Sequence, residues 1–352
     1  MKRRNQNNSN NGKITIEDVA RYAGVSISTV SRVMNNNYHH ISDETKQKVL
    51  NAITELDYRP NALAKGLKQM KTNAIGVILS NLQNPFWLKV LEGIEDTCQE
   101  AGYSLMILNS RDNLKKEENN VKEFLTRQLD GIIINPSNGE NPIFHDLIRQ
   151  EFPLIFLNRK VVGLSADTVV VDNVQGSMLA IDHLIKLNKK RIAIFLYPTN
   201  GISPRIERIE GYKKGHLKHG LDLDHSLIRI VNNKNDCIEQ IKLLLEDERK
   251  IDAIFSTNNM LTLEILDALD YLGVKVPDKI GVLGYDETEW SKHLNPALTT
   301  IKQPAYEMGR GAAERLIKII DLKIKNEKWV PEVIQYKPSL IVRRSCGEPE
   351  YF

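Results

Sequence analysis

Between Thr15 and Val33 the chain carries two helix-starting signals separated by a single glycine, which leaves room only for two short helices joined by a tight turn. Thr15 with Asp18 three residues later is a capping-box pattern, and Ile16, Val19, Ala20 and Ala23 recur on one helical face. Gly24 supplies the backbone freedom of the turn. Ser26 caps the second helix, in which Val30 and Val33 point inward. Its other face offers Ile27, Ser28, Ser31, Arg32 and Asn35. Arg and Asn have bidentate matches to guanine and adenine edges in the major groove, while hydroxyls such as those of Thr15, Ser26 and Thr29 can hold phosphates. A third helix, signalled by Ser42 and reaching about Asp57, places Val49, Leu50, Ile53 and Leu56 on one face to close the core. The blander alternative is a small helical domain with a polar surface.

Charge separates the two alternatives. Residues 1–71 hold 12 Lys or Arg against 6 Asp or Glu, while the remainder holds 36 against 39. The positive excess therefore sits in the head alone, which suits a polyanion partner there. Residues 1–13 begin with three basic residues but continue into Asn, Gln and Ser, so they read as a disordered arm rather than a secretory signal. Cys98, Cys237 and Cys346 are odd in number and far apart, which fits a reduced cytoplasm. No stretch approaches the roughly 18 apolar residues of a membrane helix. At 352 residues the chain has length for two or three domains.

After the head (14–59) and a short linker (60–73), apolar runs of strand length alternate with amphipathic stretches over 74–345. Strands are predicted at 74–79, 103–108, 131–134 and 154–157, then in a second series starting at 168–171 and ending near 280–284. A helix near 306–322 and strands near 333–336 and 339–343 follow. The fold class is α/β: a three-helix head, then two doubly wound parallel lobes. Ligands of such sheets bind beyond the carboxyl ends of the strands, where Asn109, Asn135, Asn158, Arg159, Asp172, Asn258 and Asp286 stand. Polar residues also simply end strands and cap helices.

The run 25–33, together with Tyr58-Arg59-Pro60-Asn61-Ala62-Leu63-Ala64-Lys65-Gly66-Leu67, closely resembles the lac repressor-like (LacI/GalR) family of bacterial transcription regulators. The likeness continues to Arg343-Arg344-Ser345. The resemblance implies a homodimer on a near-palindromic double-stranded DNA operator. It also implies a hinge helix in the linker, with Asn61, Ala64 and Leu67 at the minor groove and Leu67 wedged into a base step. The lobes would be of periplasmic-binding-protein type, joined by three crossings: lobe one about 74–162 and 302–326, lobe two about 163–298 and 328–345.

Within the cleft between such lobes, Arg208, Asn258, Asp286 and Gln303 match residues the family uses to hold its effector, and Phe86 or Trp87 could wall a sugar face. The chain has Asn258-Asn259 where the family usually has Asn-Asp, and Asn158-Arg159 where it often has Asp-Arg. With Arg159 and Arg208 both expected there, and Lys160 and Arg205 beside them, the effector is expected to be a sugar acid rather than a neutral sugar. Asn84-Pro85-Phe86-Trp87 and Phe156-Leu157-Asn158-Arg159-Lys160 also look like segments of regulators of hexuronate and 2-keto-3-deoxygluconate use. Either arginine could instead fork onto a structural carboxylate. A phosphorylated protein or purine corepressor and a transporter's solute-binding protein are the alternatives. No enzyme is expected: Gly281-x-x-Gly284 is not a dinucleotide fingerprint, and neither a Walker loop nor a nucleophile elbow occurs. No cofactor or metal is expected either, since His39-His40 and the pair His216 and His219 lack companions at ligand spacing.

Overall fold

The computed structural model describes residues 14–58, 71–137 and 141–348, and the chain divides into two units, Met1–Thr72 and Asn73–Phe352. The expected arm at 1–13 and most of the linker, with Asn61, Ala64 and Leu67, lie outside the described residues.

In the first unit, α1 spans Ile16–Ala23, α2 Ile27–Met34 and α3 Asp43–Glu55. Each start is the one its sequence signals. Thr15 and Asp18 close a reciprocal capping box, while Ser26 and Ser42 accept from the amides of Thr29 and Thr45. Gly24 ends α1 at φ 65°, a left-handed conformation that costs other residues a Cβ clash. The core closes on Val19, Val30, Val33, Val49 and Ala52. Leu50 departs from the expected pattern: it is 38% exposed, because Val49, Ala52 and Ile53 already fill the stripe that faces α1 and α2.

The second unit holds two six-stranded sheets. The first has the order β11-β5-β4-β3-β1-β2, built from β1 (Ala74–Leu79), β2 (Ser104–Asn109), β3 (Gly131–Ile134), β4 (Leu154–Leu157), β5 (Asp167–Val171) and β11 (Val333–Tyr336). The second has the order β12-β10-β9-β8-β6-β7, from β6 (Ile192–Leu196), β7 (Ile228–Ile230), β8 (Ala253–Ser256), β9 (Gly281–Tyr285), β10 (Thr299–Lys302) and β12 (Ser339–Ile341). All ladders are parallel except that of β10 with β12. Helices α4 (Pro85–Glu100) and α11 (Ala305–Ile324) cover one face of the first sheet, and α5 (Leu114–Thr126) and α6 (Ile143–Arg149) the other. On the second sheet α7 (Asn173–Lys186) and α8 (Ser203–Lys218) oppose α9 (Lys234–Glu246) and α10 (Asn259–Tyr271). Among the described residues no helix is long and apolar enough to cross a membrane.

The expected lobe boundaries need two corrections. β5, read as the first strand of lobe two, pairs with β4 in the first sheet, and β11 pairs with β5 rather than joining the second sheet. The anchor is Asp167 at the start of β5, which accepts Arg315 Nε of α11 at 2.6 Å, with Trp329 Nε1 at 3.2 Å and the Glu332 amide at 3.1 Å. The run Val169–Val171 is apolar and would be buried on both faces in either sheet, so hydrophobic pattern alone could not choose between them. The chain thus passes between the sheets after β5, after β10 and after β11.

In both lobes paired helices meet through glycine. A Cβ at Gly93 of α4 would overlap the Tyr306 carbonyl oxygen, and one at Gly309 of α11 the Val90 carbonyl oxygen. In lobe two Gly211 of α8 stands against the Val174 carbonyl in the same way. Alanine in an open helix position stabilises by roughly 1 kcal/mol over glycine. At Gly309 the sign reverses, because backbone cannot yield as a side chain can. Gly309→Ala is expected to destabilise the second unit by about 2–3 kcal/mol in urea unfolding; a variant as stable as the parent would show that the helices are not in backbone contact.

Candidate functional site

On α2 the outward residues are left exposed rather than packed. Ile27 is 46% exposed at the helix start, and Ser28, Arg32 and Asn35 are exposed beside it. Arg32 makes no ion pair or side-chain hydrogen bond to the described residues, so its whole guanidinium fork is available. Ser26 and Thr29 are tied into the cap, with Ser26 Oγ 2.8 Å from Thr29 Oγ1 and 2.7 Å from Ser28 Oγ. Thr15 is engaged with Asp18 in the same manner. Asn35 has a competing job: it is the C-cap of α2, and its Nδ2 donates to the Ser31 carbonyl at 2.8 Å. That bond must break before the amide can meet a base.

Within the second unit, a cavity of about 310 Å³ lies where the carboxyl ends of the two sheets face each other. Phe86, Trp87, Arg159, Arg208, Asn258, Asp286 and Gln303 all line it. Of the other polar strand ends, Asn158 joins them and three do the blander work. Asn109 accepts from the Arg111 amide, Asn135 Nδ2 donates to the Leu157 carbonyl, and Asp172 caps α7.

The aromatic wall is Phe86 and Trp87, in edge contact with ring centroids 5.0 Å apart, placed by Asn84 capping α4 and Pro85 opening it. Arg208 on α8 lies over the Tyr285 ring, its Cζ 3.7 Å from the centroid. Its Nε donates to Asn173 Oδ1 at 3.0 Å and its Nη1 to the Thr257 carbonyl at 2.5 Å. Arg159 proves to be largely occupied by protein: Nη1 donates to Asp112 Oδ1 at 2.6 Å and to the carbonyls of Pro136 and Ser137. Arg159 therefore meets a carboxylate of the protein through one nitrogen rather than as a fork, while Nη2 donates to Ser80 Oγ at 3.3 Å and the buried Nε has no partner among the described residues. Lys160 is occupied too, pairing with Glu207 at 2.7 Å.

Asp286, at the end of β9, accepts from Gln303 Nε2 at the crossover after β10. Burial pushes its carboxyl above the usual range, against the pull of Arg208, Gln303 and the Asn259 amide. Asn258 spends its Oδ1 on the amides of Met260 and Leu261. Of the residues that line the cavity, three carry a buried acceptor with no partner among the described residues: Asn158 Oδ1, Gln303 Oε1 and Glu264 Oε2. Such atoms are uncommon in folded proteins and call for a donor from outside the chain.

Sequence reasoning did not nominate Asp112, Tyr197, Glu264 or Arg205 as lining residues, although all four border the cavity. Only Arg205 had a legible signal, since a residue three before Arg208 on a helix shares its face. Elsewhere, His219 Nε2 is 2.8 Å from Asp182 Oδ1 on the surface, a single carboxylate contact. His183, Cys346 and Glu348 also converge, but as a hydrogen-bonded cluster: His183 Nε2 and Thr299 Oγ1 each stand 2.7 Å from Glu348 Oε1, and Cys346 Sγ faces the Val282 carbonyl.

Residues 15–61 match the family described as bacterial regulatory proteins, lacI family, and residues 72–343 match periplasmic binding proteins and sugar binding domain of LacI family. The HTH-type transcriptional regulator KdgR of Bacillus subtilis (strain 168) is 33% identical over 95% of this chain and 98% of its own. A probable HTH-type transcriptional regulator, EndR of Paenibacillus polymyxa, is 32% identical over 94% and 98%. Among solved structures, the lac repressor dimer bound to operator and the anti-inducer ONPF superposes with a TM-score of 0.83 at 26% identity, over 95% of this chain and 99% of that one.

Asp286 gives the site a pH signature. Its carboxyl titrates higher in the folded chain than in the unfolded one, so its contribution to stability is intact below the unfolded value, about 3.9, and is lost as pH rises through the folded value. Asn at 286 keeps an oxygen for Gln303 and tolerates the left-handed φ of 77°. Asp286→Asn should therefore match the parent in thermal stability near pH 4 and exceed it as pH rises, until the folded carboxyl is ionised. A difference that does not vary with pH, or that grows on acidification, would contradict the burial argument.

Proposed function

Because the chain belongs to the lacI family of bacterial regulatory proteins, we propose that its head reads a near-palindromic operator as a homodimer and that a sugar acid held between the lobes alters its grip on that operator. The chain is a DNA-binding transcriptional regulator and not an enzyme. Its work is in the cytoplasm, where the DNA is.

The observation that carries the choice of ligand is the convergence of three guanidiniums, from Arg159, Arg205 and Arg208, on one cavity that also holds unpartnered acceptors. Guanidinium forks match a carboxylate, and orphaned oxygens match hydroxyl donors, so a polyhydroxylated acid answers both. The edge-packed Phe86 and Trp87 offer an apolar surface to the carbon chain of such a ligand. Ile27 and Arg32 supply the types of contact that thymine methyls and guanine edges accept, and Leu67 of the linker is assigned the minor-groove wedge.

Titration of labelled operator checks the first half. Affinity should fall by at least about a thousandfold between 50 and 200 mM salt, and Arg32→Ala should weaken binding by about 1–3 kcal/mol while relaxing the preference for one base position. Adding 2-keto-3-deoxygluconate, gluconate or galacturonate should shift the operator isotherm, and glucose or galactose should not. Binding indifferent to salt, or a response to the uncharged sugars equal to that of the acids, would remove the proposal.

A further inference from the structure

We infer that Arg205 is the residue by which the cleft distinguishes an acid from its uncharged parent sugar, with Arg159 and Arg208 holding the cavity's shape around it. The inference rests on the reading of the cleft as the effector site.

The three arginines differ in what the protein already gives them. Arg159 has a carboxylate at 2.6 Å and two carbonyls on the same nitrogen, so its charge is met before any ligand arrives. Arg208 is fixed by Asn173, Thr257 and the face of Tyr285, and it lies in the field of Asp286. Arg205 has much less. It is half-buried, and its Nη1 donates to the Pro198 carbonyl at 2.5 Å. It stands 5.8 Å from the centroid of the Tyr197 ring, and it has no carboxylate in salt-bridge contact among the described residues. No hydrogen bond to the described residues is made by its Nε or Nη2, which leaves one edge of the fork free.

The neighbourhood makes that free edge electrostatically hungry. Burial, then the nearby Arg159, push the Arg205 guanidinium down to about 10, with Asp112 pulling against them and Arg208 adding to them, which still leaves it charged at neutral pH. A carboxylate placed on its open edge offsets what Asp112 leaves of the repulsion from Arg159 and Arg208; a neutral hydroxyl does not.

Tyr197 then links this charge to a second feature. Its hydroxyl donates to Glu264 Oε1 at 3.1 Å, leaving Glu264 Oε2 buried and unpartnered on the same cavity. A ligand group beside Glu264 must donate. The chemistry that satisfies both neighbours is a carboxylate carrying hydroxyl groups close by. A phosphate dianion fits less well, because its second charge would face Glu264 and Asp286.

Calorimetry on the intact protein tests this, with gluconate against glucose and galacturonate against galactose, and with 2-keto-3-deoxygluconate as a further acid. Arg205→Gln should weaken acid binding by about 10- to 150-fold, the range for a lost hydrogen bond to a charged group, so that the preference for acid over parent sugar collapses. Arg205→Lys keeps the charge without the fork and should retain part of the preference. Lysine thereby supplies the answer should the glutamine variant fail to fold. If the parent protein prefers acids and Arg205→Gln keeps that preference, or Arg205→Lys binds no differently from the parent, the assignment to Arg205 is wrong while the cleft reading stands. If the parent protein binds none of these acids, the reading of the cleft as a sugar-acid site falls, and the role of Arg205 with it.

Discussion

Parallel pairing is the constraint from which the rest of the second unit follows. Within each sheet every strand but β12 points the same way, so all their carboxyl ends emerge on one rim. The central strands are apolar and buried on both faces, as β3, β4 and β6 show along their whole lengths, and most polar groups are deferred to the loops beyond them. Two such rims set against each other make a polar cavity without any residue having to leave its preferred element. The three passes of chain between the sheets keep the rims apposed, and the glycine contacts of α4 with α11 and of α7 with α8 stiffen each lobe behind them.

Placing arginines in that cavity is costly, and their partners show which are structural. Arg315 in lobe one is the limiting case: buried, paired with buried Asp167 at 2.6 Å, and far from the cleft in purpose, since it holds β5 in the first sheet. Arg159 resembles it in having a carboxylate and backbone oxygens. Removing one partner of such a pair leaves a buried charge unmet, which destabilises by about 3–5 kcal/mol, so substitutions there report on folding before they report on binding. Tests of ligand chemistry belong at side chains the protein leaves partly unsatisfied.

Much of this was legible in the sequence, and the failures share one cause. Caps, turns and apolar periodicity are local, and Thr15, Gly24, Ser26 and Asn84-Pro85 all act as their spacing indicates. The seven nominated cleft residues do meet at one cavity, because strand-end position and family resemblance both carry spatial information. Sheet membership is not local. β5 is equally apolar in either sheet, and the half-exposed β11 could edge either one; only the pairing of Asp167 with Arg315, 148 residues away, decides it. Asp112 and Glu264 were missed for the same reason, since each matters through a partner distant in sequence, Arg159 in one case and Tyr197 in the other. Asn35 shows the opposite error, in which a local bond to Ser31 competes with the role its exposure suggests.

On the proposed reading, the join between the lobes is where structure and regulation meet. Asn259 Nδ2 donates to Asn84 Oδ1 at 2.8 Å, and Lys160 reaches Glu207 at 2.7 Å while its amide donates to Ser203 Oγ, so protein groups bridge the lobes directly. A ligand moves such an equilibrium only by binding one arrangement better than the other, and a shift from 1:99 to 99:1 requires about 5.5 kcal/mol of differential affinity. Bonds between protein groups do not by themselves tell one ligand from another. The discrimination must come from groups that the bridged arrangement leaves unsatisfied and a ligand satisfies from both sides at once: Asn158 Oδ1 on one lobe, and Glu264 Oε2 and the open edge of Arg205 on the other. An effector that reached only one rim would bind without driving closure, and so without a signal to pass on.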